Sequence, residues 1–136
     1  MTNDELIYKA ASVINVRKTK NGLFGDVGCA LLSATDEVYF GICADVGSNT
    51  FCAESIAIGS MITNGEYKIK KIVAVWKDSD AIVHVISPCG NCRQFILEVN
   101  EENLNTEVVL DKNKIMLLKD LLPYHTWWKN QLTSPQ

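Results

Sequence analysis

Three cysteines and one glutamate in this chain have the types and the spacing for metal chemistry. Cys89 and Cys92 form a C-x-x-C pair directly after Ser87-Pro88, and Cys52 stands two residues before Glu54. A C-x-x-C pair alone has three readings: a redox pair, half of a structural zinc site, or part of a catalytic one. A redox motif needs neither a third cysteine nor a C-x-E partner. A structural zinc needs a fourth protein ligand, and neither His84 nor His125 has a partner at ligand spacing. Three thiolates with no evident fourth ligand suggest a catalytic zinc whose open position takes water. Cys29 and Cys43 lie in apolar runs and are expected to be core, as free cysteines usually are. His84, in a strand-like run, is expected to be a half-exposed structural residue.

The chemistry depends on where these side chains sit. The segment from Pro88 to about Glu98 reads as a helix with Ser87 as cap and Pro88 as its first residue. Cys89 and Cys92, at i and i+3, then share one face. They occupy the first turns, where unpaired amides and the positive end of the helix dipole favour thiolate. Cys52 opens a second helix, Cys52–Thr63, which Asn64-Gly65 stops. Two helix N-termini meeting at one point would supply three thiolates and leave a fourth position vacant. Glu54 is too far round its helix to be a fourth ligand. It is placed instead to take a proton from a water on the metal. Taken alone, it would be an ordinary acidic residue of a first turn.

The elements that must hold these groups follow from hydrophobic patterning. A capped helix begins near Asp4-Glu5, with Thr2 or Asn3 as cap. Val27–Ser33 and Val38–Cys43 read as a hairpin, and Ile72–Trp76, Ile82–Ile86 and Glu107–Leu110 as further strands. Gly22–Gly28 and Asp45–Asn49 read as loops, and Lys119–Leu122 as a helical turn. Strands alternating with helices imply an α/β domain of three layers, α/β/α, with one central mixed five-stranded sheet. With 136 residues and no repeat or linker, residues 1–136 are expected to form a single domain. A net charge of -3 gives no basic face for a polyanion, so no nucleic-acid partner is expected. No apolar run reaches the ~18–20 residues of a membrane span, and Asp4 and Glu5 replace a basic leader. A cytoplasmic location without a membrane partner is the expectation.

The order Cys52-Ala53-Glu54, then Pro88-Cys89-Gly90-Asn91-Cys92, is that of the zinc deaminases, in which the glutamate is a proton shuttle and not a ligand. The chain resembles the cytidine deaminase family over roughly residues 3–128. Val27-Gly28-Cys29-Ala30-Leu31, Phe51-Cys52-Ala53-Glu54, Ser87 to Gln94 and Leu121-Leu122-Pro123 carry the resemblance. Cys52 to Ser60, Ile72 to Val75 and Trp128 look like its bacterial blasticidin-S deaminase branch.

The resemblance implies one Zn2+ per chain on Cys52, Cys89 and Cys92. It implies hydroxide attack at C4 of a free cytosine nucleoside or nucleoside-like compound, with Glu54 shuttling protons and ammonia leaving. It also implies that the Ala53 amide and the Ser87 carbonyl hold the reacting groups, and that the assembly is a homotetramer or homodimer. The other class of function is a catalytically inactive, zinc-stabilised nucleoside binder, and a redox enzyme on Cys89-Cys92 comes third.

Four positions bear on the substrate and the metal. Where related enzymes carry Asn-x-Glu for the ribose, this chain has Cys43-Ala44-Asp45, and Asp45 is expected to accept one hydroxyl hydrogen bond. Phe24, one residue further back than the family's aromatic, is expected against the pyrimidine. Ser55 replaces the Arg often found after C-A-E, so Arg93 is expected to offset the thiolate charge by donating to a ligand sulfur. Trp128 in the aromatic tail either closes over the pocket or serves, like Tyr124 and Trp127, as core or subunit contact.

Overall fold

The computed structural model describes residues 1–126 and 131–132. Trp128 lies outside them. Eight strands form one sheet: β1 (Arg17–Thr19), β2 (Gly22–Ser33), β3 (Val38–Val46), β4 (Asn49–Phe51), β5 (Ile69–Lys77), β6 (Val83–Ile86), β7 (Glu107–Asp111) and β8 (Lys114–Leu117). The main path runs β4-β3-β2-β5-β7-β8, with β1 paired to β2 and β6 to β5. Only β5 and β7 are parallel among the pairs of this sheet, which makes it mixed.

The five expected strands are β2, β3, β5, β6 and β7, and the sheet exceeds them by three. The reason is local. β1 and β4 are three residues long and mostly exposed, so neither carries a buried-face alternation to detect. β8 is held as the second arm of a hairpin with β7, a pairing that its four residues do not announce. The expected loop Gly22–Gly28 is instead the start of β2, because β1 and β3 pair with Gly22 to Phe24 from both sides and β3 pairs again at Gly28.

Helices α1 (Asn3–Ser12), α2 (Ala53–Thr63), α3 (Gly90–Val99) and α4 (Leu118–Leu121) cover the sheet. α1 is fixed at its start by a capping box, Thr2 Oγ1 accepting from the Glu5 amide while Glu5 accepts from the Thr2 amide. Strand pleating sorts the core into two layers. Ala30, Val73, Val75 and Val109 join Leu6 and Ala10 of α1 on one face. Cys29, Leu31, Ile72 and Val108 join Ala57, Ile58 and Met61 of α2 and Ile96 of α3 on the other. Each fully buried Leu or Ile contributes roughly 1.5–3 kcal/mol. The result is the expected three-layer α/β/α arrangement.

Gly41 decides how closely α2 can lie on the sheet. A Cβ there would fall 2.3 Å from the Ala53 carbonyl oxygen and 2.4 Å from the Ala57 amide nitrogen. The first turn of α2, which carries Glu54, therefore rests directly on the backbone of β3. Farther along, the buried Asn103 ties a turn after α3 to the sheet: its Oδ1 accepts from the Ile69 amide, and its Nδ2 donates to the Tyr67 and Ile96 carbonyls. No helix among the described residues is long and apolar enough to cross a membrane.

Candidate metal centre and active site

Cys52 and Cys89 occupy the same position on two helices. Each is an N-cap in extended conformation, with φ/ψ of -67/151° for Cys52 and -68/168° for Cys89, and neither thiol caps its own helix. This corrects the expected entry to α3: Cys89 is the cap and Gly90 the first helical residue, while Ser87 Oγ accepts from Arg93 instead. Because the two sulfurs are not used for capping, they turn towards each other, 3.9 Å apart. Cys92 in the first turn of α3 supplies the third, and all three sulfurs lie within 4.8 Å of one another. Thiolates ~2.3 Å from a tetrahedral zinc lie ~3.8 Å apart, so the group suits that ion. The five cysteines are all free thiols.

The three sulfurs differ in surroundings. Cys92 is buried, Cys52 is half-buried and Cys89 is exposed. Burial first, and then the charge of Glu54, push the Cys92 thiol far above its ordinary range. Burial likewise raises Cys52. For Cys89 partial burial acts upward, but the Cys92 amide, the neighbouring thiols and the Asn91 amide together bring it below its ordinary value. Glu54 is 5% exposed, and burial raises its carboxyl, with its own amide and the Cys92 thiol pulling back. A carboxylate shifted upward in this way is suited to taking and returning a proton.

These groups open into a cavity of about 270 Å3. One side is made by the helix N-termini, with Cys52, Ala53, Glu54 and Cys89; Ser87 and Ile86 continue it. The opposite wall comes from β2, β3 and β4 and includes Asp45, which accepts a hydrogen bond from Thr50 Oγ1 at 3.0 Å. Ala53, Ser87 and Asp45 thus all face one space.

Two side chains stand elsewhere than expected. Phe24 does not line this cavity; it borders a separate one with Arg17 and Ile42. The phase of β2 puts Leu23, paired with Asp45, on the site side. Arg93 does not donate to a ligand sulfur. Its Nε donates to the Pro88 carbonyl at 2.9 Å, one Nη to the Leu121 carbonyl at 3.0 Å and the other to Ser87 Oγ at 2.9 Å. Its reach is taken up by backbone oxygens on either side, so it holds the loop that carries Cys89. Cys43 packs against the core but also lines the cavity, where its thiol donates to Asp26 Oδ1 at 3.0 Å. Asp26 and Leu23 are residues that sequence reasoning missed, and the signal was Gly25-Asp26 interrupting an otherwise apolar strand.

Elsewhere, His84 is the expected half-exposed structural residue. It pairs with Asp78 at 2.8 Å and stacks on Trp76. Tyr124 is 99% exposed in the chain and so is not core.

A family model described as "Cytidine and deoxycytidylate deaminase zinc-binding region" matches residues 1–107. Among curated relatives, a blasticidin-S deaminase from Bacillus cereus is 41% identical over 76 residues, which are 52% of this chain and 54% of that protein. A cytidine deaminase from Mycoplasma genitalium is 35% identical over 78 residues, 56% of this chain and 57% of that one. The chain thus spans about half the length of the curated relatives it matches. The crystal structure of cytidine deaminase from Burkholderia pseudomallei superposes with a TM-score of 0.72 at 27% identity, covering 91% of this chain and 98% of the other.

Proposed function

The chain belongs to the cytidine and deoxycytidylate deaminase zinc-binding family, and we propose that residues 1–136 form one zinc-dependent domain that hydrolytically deaminates a free cytosine nucleoside or nucleoside-like compound. Cytidine and blasticidin S are the substrates that the relatives' names carry, and deoxycytidine is the third candidate. The carrying observation is a buried carboxylate, Glu54, lining the same cavity as Cys52 and Cys89 of the three-sulfur group. Glu54 sits outside that group, as a proton carrier must.

Zinc held by Cys52, Cys89 and Cys92 supplies Lewis acidity for activating water. The chain's own residues do the rest. Glu54 takes one proton of the attacking water and delivers it to ring N3, then takes the second from the new C4 hydroxyl and delivers it to the departing amino group. The C4–N bond breaks, one water is consumed, and ammonia and the uracil compound leave. The Ala53 amide, in the first turn of α2 and without a helical acceptor, binds the attacking oxygen. The Ser87 carbonyl accepts from the amino group. Asp45, oriented by Thr50, accepts a sugar hydroxyl. Arg93 acts as a positioning residue for the Ser87–Cys89 loop.

The assembly proposed is a homotetramer. Exposed Phe51 and Ile56 beside the site offer apolar contact surface, and light scattering reads the size directly.

Ammonia release from cytidine, deoxycytidine and blasticidin S, with zinc quantified on the same protein, tests the activity. At least one compound should release ammonia, and Glu54→Gln should abolish it while zinc stays bound. Binding without release from all three would instead point to a zinc-stabilised nucleoside binder.

A further inference from the structure

Asp26 is a carboxylate on the cavity wall with no part in the chemistry above. It stands in a bulge of β2: Phe24 faces Ala44 and Gly28 faces Ile42, so Gly25, Asp26 and Val27 together oppose Cys43. Bulges re-aim side chains and gather beside active sites. Gly25 makes this one possible, since its φ is 76° and a Cβ would fall 2.2 Å from the Asn15 carbonyl oxygen. The Cys43 thiol donates to Asp26 Oδ1 at 3.0 Å, and Oδ2 has no hydrogen-bond donor among the described residues. Burial first, then the carboxylate itself, raise the Cys43 thiol, so it stays a protonated donor near neutral pH.

The charge around Asp26 is one-sided. Asp26, Asp45 and Glu54 line the cavity, and among the described residues no Lys, Arg or His does. A cytosine ring with C4 at the helix N-termini directs the rest of the molecule to the wall of Asp26, Cys43, Asp45 and Thr50. A phosphate brings about -1.5 to -2 charge at neutral pH, and like charges brought together at a site are strongly disfavoured. Leu23 and Asp26 also border a neighbouring cavity of about 550 Å3. A substituent larger than a hydroxymethyl group therefore has room beyond Asp26. Lys77 borders that second space, so the charge preference belongs to the Asp26 position and not beyond it.

Resting on the deaminase assignment, we infer that Asp26, held by Cys43, is a specificity-determining residue that receives a cationic or hydrogen-bond-donating group on the sugar side of the substrate and rejects a 5′-phosphate.

The test compares kcat/KM of the zinc-loaded protein for 5′-amino-5′-deoxycytidine, cytidine and cytidine 5′-monophosphate. The expected order is amine, then cytidine, then phosphate, with ~10-fold or more between the first and the last, the ratio given by about 1.4 kcal/mol. Asp26→Asn should compress the amine-to-phosphate ratio by ~10-fold with zinc still bound. Equal kcat/KM for the phosphate and cytidine in the unaltered protein overturns the inference, whatever the variant does. So does an unchanged ratio in Asp26→Asn. Dissociation constants of the same three compounds for zinc-loaded Glu54→Gln give a second measurement that needs no turnover. If that order holds while no compound releases ammonia, the deaminase assignment fails and the role of Asp26 stands.

Discussion

Cys52 and Cys89 are 37 residues apart in sequence, yet their sulfurs lie 3.9 Å apart, each at the N-cap of its own helix. The contact exists because α2 and α3 pack on the same face of the sheet, with Ala57, Ile58 and Met61 of one and Ile96 of the other in one buried cluster. Neither helix could slide by a turn without parting them.

Cys52→Ser or Cys89→Ser should therefore leave the fold largely intact and bring bound zinc well below one per chain. The serine hydroxyl keeps the capping position but is a poor zinc ligand. Metal analysis after gel filtration reads this, and far-UV circular dichroism checks the fold. A chelator should lower the melting temperature of the unaltered protein, since metal bound to the native state stabilises it. Full zinc in both variants would exclude the three-sulfur site.

Arg93 holds three oxygens at once, those of Ser87, Pro88 and Leu121. Arg93→Lys keeps the charge but loses the planar fork. The loop carrying Cys89 should loosen, and zinc affinity or turnover should fall by ~10–100-fold, the range for groups that orient metal ligands. Competition with a zinc chelator gives the affinity. Unchanged zinc affinity and turnover in Arg93→Ala would exclude this positioning role.

Gly41→Ala tests the approach of α2 to β3. The added Cβ would meet backbone atoms of Ala53 and Ala57, which cannot rotate away. Overpacking of this kind costs about 1–3 kcal/mol. Because the displaced turn bears Glu54, activity should fall more than the loss of stability accounts for. Urea unfolding alongside kcat on the folded fraction separates the two effects.

Glu66 predicts a pH dependence of stability away from the metal. Hydrogen bonds from Thr35, then Tyr39 and Ser33, hold its carboxyl below the ordinary range. The folded value is depressed, so its contribution is present above the unfolded value of ~4.3 and is lost as pH falls through the folded one. The partner Tyr39 is pushed up to about 12, chiefly by donating to Glu66. Its contribution is present below the unfolded value of ~10 and disappears as pH rises through about 12. Thermal melts should show Glu66→Gln less stable than the unaltered protein near pH ~7, with the difference narrowing at both extremes. A difference constant with pH would count against this assignment.

What the sequence determined by itself was local. The spacing of Cys89 and Cys92, the cysteine two residues before Glu54, and the helices that begin there are set within one or two turns, where i,i+3 geometry is fixed. The five strands with β-branched or apolar alternation were legible for the same reason, since a period of two marks a buried face. The three short strands were not, because β1 and β4 are exposed and β8 depends on its partner.

Long-range packing decided the rest. It set the meeting of Cys52 with Cys89, and it placed Leu23 and not Phe24 at the cavity through the phase of β2. It gave Arg93 backbone oxygens in place of a sulfur, because Leu121 and Pro88 approach it from separate elements. It turned Asp26 inward through a bulge that exists only where β2 meets β3. A side chain's type and spacing limit what it can do. Which groups it meets across the sheet is a property of register and helix docking, and no short stretch of the chain encodes that.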